Sequence, residues 1–269
     1  MKLRAPQPIL LRAVRSSAAV EAWYRKELTR LVDEMHKSVL HWVRKVYPPP
    51  GADIAMDAPA IGALNSTMKN LGRRWDKQFT QLSHETSKKF AKLEYEYNEK
   101  AFKQSLKDSG FAIKHELAAP MREALPAMVE ENVALIKSIP EKYFGEIENK
   151  VMESVERGRD MAELTEQLQA RYGVTRGRAE LIARDQNNKA TAQLQKAGQL
   201  SVGITTAMWS HTTASITPRE DHADFDGEEY DVELGHDFGD GFGPVLPGEA
   251  INCGCTSHPI IPGFNDEEA

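Results

Sequence analysis

The chain has few cysteines, few aromatic residues and no long apolar run. Its 269 residues include two cysteines, too few for a disulfide framework. No stretch approaches the roughly 20 apolar residues that a membrane-spanning helix needs. Aromatic residues make up 7% of the chain and the mean hydropathy is -0.51, which suits a helix-rich, well-solvated protein.

The N-terminal segment is poor in the apolar residues of a secretion signal. The run Ile9-Leu10-Leu11 is interrupted by Arg12 and again by Arg15, so it is too short for the hydrophobic region of a signal peptide. We therefore expect a protein that is made in a cytosol and has no membrane association.

Positive charge is nearly absent from the last part of the chain. Residues 201–269 contain one basic residue, Arg219, and 14 acidic residues, a net charge of -13. Residues 1–200 have a net charge of +7, so the overall value of -6 combines two unlike parts. A reversal this sharp predicts two functional parts.

Two apolar stripes with helical spacing dominate the first 110 residues. One runs from Tyr24 to Val46 and ends before a Pro-Pro-Pro-Gly segment, and the other runs from Trp75 to Tyr97. Both follow the spacing 4, 3, 4, 4, 3, 4, which places their members on one helix face. The pattern predicts a helical hairpin whose stripes form a packed core.

The middle region, residues 111–200, is predicted to contain three further helices, over 138–158, 160–173 and 175–198. Pro140 would lie in the first turn of one helix, and Asp160 and Thr175 would cap the other two. The last two helices form a pair that resembles a DNA-reading unit. Its candidate nucleic-acid contacts are Arg176, Arg178 and Arg184.

After residue 203 the pattern changes. Segments 204–211 and 229–233 are β-prone, and 235–248 is rich in glycine and reads as a loop. The predicted fold class is therefore mainly α, with a long helical body and a small, loop-rich α+β domain. The predicted regions are a helical hairpin over 1–110, a helical middle over 111–200 and an acidic, metal-binding domain over 201–269.

The C-terminal region holds both cysteines and four of the eight histidines, which are His211, His222, His236 and His258. In an extended segment residues i and i+2 face the same side, so Cys253 and Cys255 can direct both sulfurs at one point. Two thiolates and two imidazoles form an ordinary tetrahedral zinc site, which would stabilise a small domain. Two buried thiols without a metal are the alternative.

No catalytic motif accompanies these residues. A zinc deaminase would need His-x-Glu and Cys-x-x-Cys, whereas the chain has His222-Ala-Asp224 and Cys253-Gly-Cys255. Zincin, nucleophile-elbow and phosphate-loop motifs are also missing. We therefore expect no catalytic residues. Acid-pair catalysis among residues 224–229, a calcium loop at 235–241 and a metal-dependent hydrolase or nuclease remain alternatives.

Four segments in order resemble a known family. They are residues 132–140, residues 175–184, the stretch His222-Ala-Asp-Phe-Asp-Gly227, and the stretch Pro247-Gly-Glu-Ala-Ile-Asn-Cys-Gly-Cys-Thr256. Together they resemble the phage Mu F-like head morphogenesis, or minor head protein, family over roughly residues 125–260. Gly254 stands where the family has Arg, and Asp185-Gln186 stands where it usually has Thr-Glu.

The resemblance also bears on the metal ligands. Some relatives have a cysteine where Arg219 stands, so the fourth ligand must come from elsewhere in this chain. The predicted set is His222, His236, Cys253 and Cys255, with His258 as the alternative to His236.

The role that the resemblance implies is structural. Such proteins enter the forming capsid in few copies, at or near the portal, and influence head assembly and in some cases DNA packaging or ejection. The implied partners are the portal protein, a major capsid or scaffold protein and packaged DNA. The implied location is the virion, after synthesis in the cytoplasm of a bacterial host.

Overall fold

The two predicted apolar stripes lie on two long helices. The computed structural model describes residues 7–47, 58–111, 118–157, 160–212, 219–241 and 243–263. In it α1 spans Ala18–Val46 and α2 spans Ala58–Asp108. Tyr24 and Leu28 on α1 and Phe79 on α2 are fully buried, because residues three and four apart share one helix face. The Pro-Pro-Pro-Gly segment lies outside the described residues.

The remaining elements are shorter helices and strands, together with two more long helices. They are β1 (Ile9–Leu10), α3 (Ala118–Glu123), α4 (Leu125–Glu156), α5 (Met161–Ser201), β2 (Thr206–Ser210), α6 (Glu220–Asp224), β3 (Glu229–Asp231) and β4 (Thr256–Ile261). The predicted fold class, mainly α with a small C-terminal α+β part, is thereby confirmed. Across the described ranges, no helix combines the length and the apolar character needed to cross a membrane.

The predicted helix start at Pro140 is wrong, because α4 continues through this residue. A proline inside a helix removes one backbone hydrogen bond and crowds the preceding turn. Here the buried stripe Ile136, Ile139, Tyr143 and Ile147 runs across the proline without a break. Burial of these side chains on one face therefore outweighs the local cost of Pro140.

The predicted break between residues 173 and 175 is also wrong, since α5 is one continuous helix. The hydroxyl of Thr175 donates to the carbonyl of Arg171 at 3.0 Å, so it bonds within the helix and does not cap a new one. Leu168 and Ala179, on either side of Gly173, are both buried. Packing on both sides of the glycine keeps the helix intact.

The predicted N-cap at Asp160 is confirmed. Its Oδ1 accepts hydrogen bonds from the backbone N–H groups of Ala162 at 2.8 Å and Glu163 at 3.0 Å. At the other end α5 runs past Gly198 to Ser201, and Gly203 after it has a φ of +77°. The N–H of Ile204 donates to the carbonyl of Gln199 at 3.0 Å, the pattern of a Schellman C-cap.

The chain folds into two compact units that are each discontinuous in sequence. Unit 1 comprises Met1–Glu21, Lys89–Met128 and Arg184–Ala269, and unit 2 comprises Ala22–Lys88 and Val129–Ala183. The regions predicted from the sequence, 1–110, 111–200 and 201–269, are consecutive. Division at residues 110 and 200 therefore stays a prediction.

Unit 2 is helical and combines an apolar core with buried polar bridges. The hydroxyl of Tyr24 on α1 donates to Oδ1 of Asn132 on α4 at 2.7 Å. Nδ1 of His36 on α1 lies 2.9 Å from the hydroxyl of Tyr143 on α4. Burial lowers the pKa of His36, which keeps this imidazole neutral and able to share such a bond.

Unit 1 contains the sheet, whose strand order is β1-β4-β2-β3 with all pairs antiparallel. β2 and β4 pair from Thr206 opposite Ile260 to Ser210 opposite Thr256. The core of this part is small: its buried members are Ala207, Trp209, Tyr230, Val232, Leu246, Cys253 and Cys255. Both cysteines therefore belong to the core of the sheet.

Helices α2 and α5 contact each other in unit 1 through four buried polar side chains. We call this group the polar seam; its members are Glu94, Asn98, Thr191 and Gln195. Asn98 Nδ2 donates to Glu94 Oε2 at 3.1 Å, and Gln195 Nε2 donates to Asn98 Oδ1 at 3.0 Å. Glu94 and Asn98 are fully buried. The seam thus places a carboxyl group inside the unit.

The loop after β3 depends on one glycine for its path. Gly235 has a φ of +76°, and a Cβ at this position would lie 2.7 Å from the carbonyl oxygen of Val245. This close approach exists because His236 and Val245 form an isolated β-bridge, with hydrogen bonds of 3.0 and 2.9 Å. A side chain at residue 235 would therefore force the bridge apart.

Replacement of Gly235 by alanine is expected to lower the free energy of unfolding of unit 1 by roughly 2–3 kcal/mol, from backbone strain together with the clash. Gly239→Ala is the matched control, because Gly239 has a φ of +73° and open space around it. Urea unfolding of both variants would measure the difference. Equal losses would show that the contact with Val245 is unimportant.

Candidate metal centre

The two cysteines lie in a turn that the C-terminal part of α5 holds in place. Asn188 Nδ2 donates to the carbonyl of Cys253 at 2.9 Å, and the backbone N–H of Asn252 donates to Asp185 Oδ1 at 3.0 Å. The guanidinium of Arg184 donates to Oδ1 of Asn252. Asn252 has a φ of +61°, a conformation that asparagine tolerates better than most residues. Helix α5 therefore positions the Cys-x-Cys turn.

His222 reaches the cysteines from the short helix α6. Its side chain is 2% exposed, and its ring stacks on Phe238 with centroids 4.4 Å apart. The ring of Trp209 meets it edge to face at 5.1 Å. These aromatic contacts hold the imidazole in one orientation without a bound metal ion.

The ligand atoms of His222, Cys253 and Cys255 lie within 4.8 Å of one another, and all three residues are buried. His222 Nδ1 is 3.4 Å from Cys253 Sγ and 3.8 Å from Cys255 Sγ. An imidazole nitrogen has one lone pair or one proton, so it can form only one hydrogen bond. The same nitrogen thus lies close to both sulfurs, so the three residues could hold one metal ion.

The electrostatics of the pair favour one thiolate. A hydrogen bond from the Cys255 thiol, helped by His222 and by the backbone N–H groups of Cys255 and Gly248, lowers the pKa of Cys253 against the effect of burial. The hydrogen bond to Cys253, together with burial, raises the pKa of Cys255. The buried pair therefore holds one negative charge, and a thiolate is the form that binds metals.

The donor set fits zinc. Tetrahedral zinc with Zn–S of about 2.3 Å and Zn–N of about 2.0–2.1 Å places sulfur and nitrogen ligands about 3.6 Å apart. The two distances from His222 Nδ1 to the sulfurs, 3.4 and 3.8 Å, lie on either side of that value. His222, Cys253 and Cys255 could therefore hold a metal ion without rearrangement of the turn.

The other two predicted ligands lie apart from this group. His236 stacks on Phe225 with ring centroids 3.7 Å apart, and its backbone pairs with Val245. Nδ1 of His258 is 3.1 Å from the carbonyl oxygen of Leu11. Among the described residues the structure thus groups three of the predicted ligands, and it gives His236 and His258 other contacts.

A fourth histidine lies beside the cysteines and was missing from the predicted ligand set. His211 Nδ1 is 3.6 Å from Cys255 Sγ. His211 directly follows β2, and the register that pairs Ser210 with Thr256 brings it next to Cys255. The signal in the sequence was the β-prone segment 204–211, but its pairing partner could not be inferred from spacing.

The three arginines predicted to contact nucleic acid each have a protein partner. Arg176 forms ion pairs with Glu180 at 2.5 Å and with Asp33 at 3.5 Å. Arg178 donates to Ser138 Oγ at 2.7 Å, and Arg184 holds the Cys-x-Cys turn. These contacts assign the side chains to the packing of the protein, and nucleic-acid binding by them stays a prediction.

The comparison with protein families confirms the resemblance seen in the sequence. Residues 145–258 match the model of the family described as Phage Mu protein F like protein. This segment includes the C-terminal part of α4, all of α5 and the three grouped ligands.

A relative extends the similarity to most of the chain. An uncharacterized protein of Haemophilus influenzae is 29% identical over 258 residues, covering 92% of this chain and 55% of the relative. The chain thus spans about half the length of the curated relative that it matches. No solved structure matches the chain.

The structure also explains one departure from the family pattern. A Cβ at Gly254, the residue between the cysteines, would lie 2.8 Å from Cγ2 of Thr212. The arginine that the family resemblance places there would require Thr212 to move. Glycine and the neighbouring threonine methyl group therefore fit together in this chain.

Proposed function

We propose that the chain is a minor head protein, a structural component at or near the portal of a phage head that aids head assembly. The observation that carries the proposal is the family match over residues 145–258, which includes the buried His-Cys-Cys group. In this role the metal is zinc, and it stabilises the sheet of unit 1. The protein has no catalytic residues and acts through its partners, which are the portal protein, a capsid or scaffold protein and packaged DNA.

The exposed acidic residues of unit 1 support protein contacts over DNA contacts for this part of the chain. Asp224, Glu228, Glu229 and Glu233 are exposed, in a region with one basic residue. DNA repels such a surface, whereas a basic protein surface attracts it. We therefore assign partner docking to the acidic surface, and any DNA contact to the more basic residues 1–200.

The test is assembly of procapsids from the phage proteins with and without the portal protein. We expect the chain to sediment with portal-containing procapsids in far fewer copies than the major capsid protein. Procapsids assembled without the portal protein are the control and should lack the chain. Equal incorporation into both kinds of procapsid, or absence from both, would refute the assignment to the portal.

A further inference from the structure

We infer that His211 is the fourth ligand of the metal and closes a Cys2His2 shell with His222, Cys253 and Cys255. The inference rests on the metal site proposed above. It adds a ligand, and it defines the site as closed, with no position left for water or substrate.

The first support is the position of His211 in the fold of unit 1. The β2–β4 register places it beside Cys255, and its backbone N–H donates to Asp226 Oδ1 at 2.7 Å. The backbone N–H of the next residue, Thr212, donates to the sulfur of Cys255. Two hydrogen bonds therefore fix the main chain at residues 211 and 212, one to Asp226 and one to the sulfur of Cys255.

The second support is the distance. His211 Nδ1 lies 3.6 Å from Cys255 Sγ, which is the separation of about 3.6 Å expected for sulfur and nitrogen ligands of one tetrahedral zinc. The two contacts of His222 with the sulfurs, at 3.4 and 3.8 Å, are similar in length to this contact. His211 thus contacts one sulfur at a ligand–ligand distance, and metal binding would have to bring its imidazole closer to the ligand atoms of His222 and Cys253, which lie with Cys255 within 4.8 Å of one another.

The third support is the space between the ligands. A void of about 10 Å³ is lined by His211, His222, Cys253 and Cys255, together with Thr212, Arg219, Asn252 and Gly254. This volume is about that of a single water-sized sphere. It suits one ion and excludes a substrate.

His211 also lines a larger space beside this void. A cavity of about 420 Å³ adjoins the centre, and both His211 and Cys255 line it as well as the small void. With His211 bound to the metal, all four positions are filled by protein, as in structural zinc sites. Without it, the fourth position would face the cavity, as in catalytic sites that keep a position for water.

The experiment is cobalt substitution of the full chain and of three histidine variants. Co²⁺ with four protein ligands gives strong visible d–d bands, which weaken when water raises the coordination number. His211→Ala should weaken these bands and lower the metal affinity by more than about 100-fold, beyond the loss usual for residues that only orient a ligand. His236→Ala and His258→Ala should keep the wild-type spectrum and affinity.

A cysteine at residue 211 keeps the test decisive if the alanine variant fails to fold. His211→Cys should still bind Co²⁺ and should gain intensity in the near-ultraviolet sulfur-to-metal charge-transfer band. An unchanged spectrum in both His211 variants would overturn the assignment of His211 alone. Absence of metal binding by the wild-type chain would instead refute the metal site, so the two failures are distinguishable.

Discussion

Replacement of Cys253 or Cys255 by serine is expected to abolish metal binding and to unfold the sheet of unit 1. Both sulfurs belong to a buried cluster of seven residues, and a bound metal adds its binding free energy to the stability of the part of the chain that holds it. A hydroxyl at either position binds zinc weakly and leaves a polar group in the core. The decrease in the free energy of unfolding should therefore be larger than for an ordinary core substitution.

Zinc titration separates the role of the metal from the packing of the sulfurs. For wild-type protein, free zinc at a thousand times the dissociation constant should add about 4 kcal/mol to the free energy of unfolding, because the metal binds the folded state. The Cys253→Ser variant should gain nothing over the same range. The measurement is thermal unfolding of metal-free protein with increasing zinc, together with elemental analysis for one ion per chain.

A serine at a neighbouring residue that is not a candidate ligand provides the control. Thr256→Ser changes the residue next to Cys255 at the start of β4 and should respond to zinc as the wild type does. Equal stabilisation of the cysteine variant and the wild type by zinc would contradict the prediction, as would native protein without bound metal.

Glu94→Gln is expected to stabilise unit 1 strongly above pH 8 and hardly at all near pH 4. Burial raises the pKa of Glu94 to about 8 from the ordinary value of 4.5, and hydrogen bonds with Asn98 and Thr191 offset only part of this effect. In the unfolded chain the carboxyl ionises near pH 4.5, while in the folded chain it keeps its proton until about pH 8. The free energy of unfolding therefore decreases as the pH rises from 4.5 to about 8.

The size and sign of the effect follow from proton linkage. Between pH 4.5 and about 8 the unfolded state binds fewer protons, so the free energy of unfolding falls as the pH rises. Above the folded-state pKa the loss of unfolding free energy is constant, on the order of 5 kcal/mol. Glutamine stays neutral throughout and retains an oxygen that can accept from Asn98, so the variant should escape this loss.

The measurement is urea unfolding of wild type and Glu94→Gln at pH 4 and pH 9. Glu96→Gln is the matched control, because Glu96 lies on the same helix with a side chain that is 55% exposed. The control should have a small effect at both pH values. If Glu94→Gln raised the free energy of unfolding equally at pH 4 and pH 9, the explanation by ionisation of a buried carboxyl would be contradicted.

Local signals in the sequence identified most helices, but they misplaced two helix boundaries. The Asp160 cap was predicted correctly because its hydrogen bonds reach only two and three residues along the chain. Pro140 and Gly173 were interpreted as boundaries because each is unfavourable in an isolated helix. Both lie inside helices with buried residues on either side, and the energy of that burial depends on contacts with distant parts of the chain.

The sequence by itself determined the chemistry of the candidate centre, and the tertiary structure decided its membership. Cys253 and Cys255 point to one metal because their spacing is local, and His222 follows from the family motif. The choice of the remaining histidine depends on which strands pair, since residues 211 and 255 are far apart in the chain and adjacent only through the β2–β4 register. The position of His236 in the sequence, between His222 and Cys253, favours it as a fourth ligand. Strand pairing instead brings His211 next to the sulfur of Cys255.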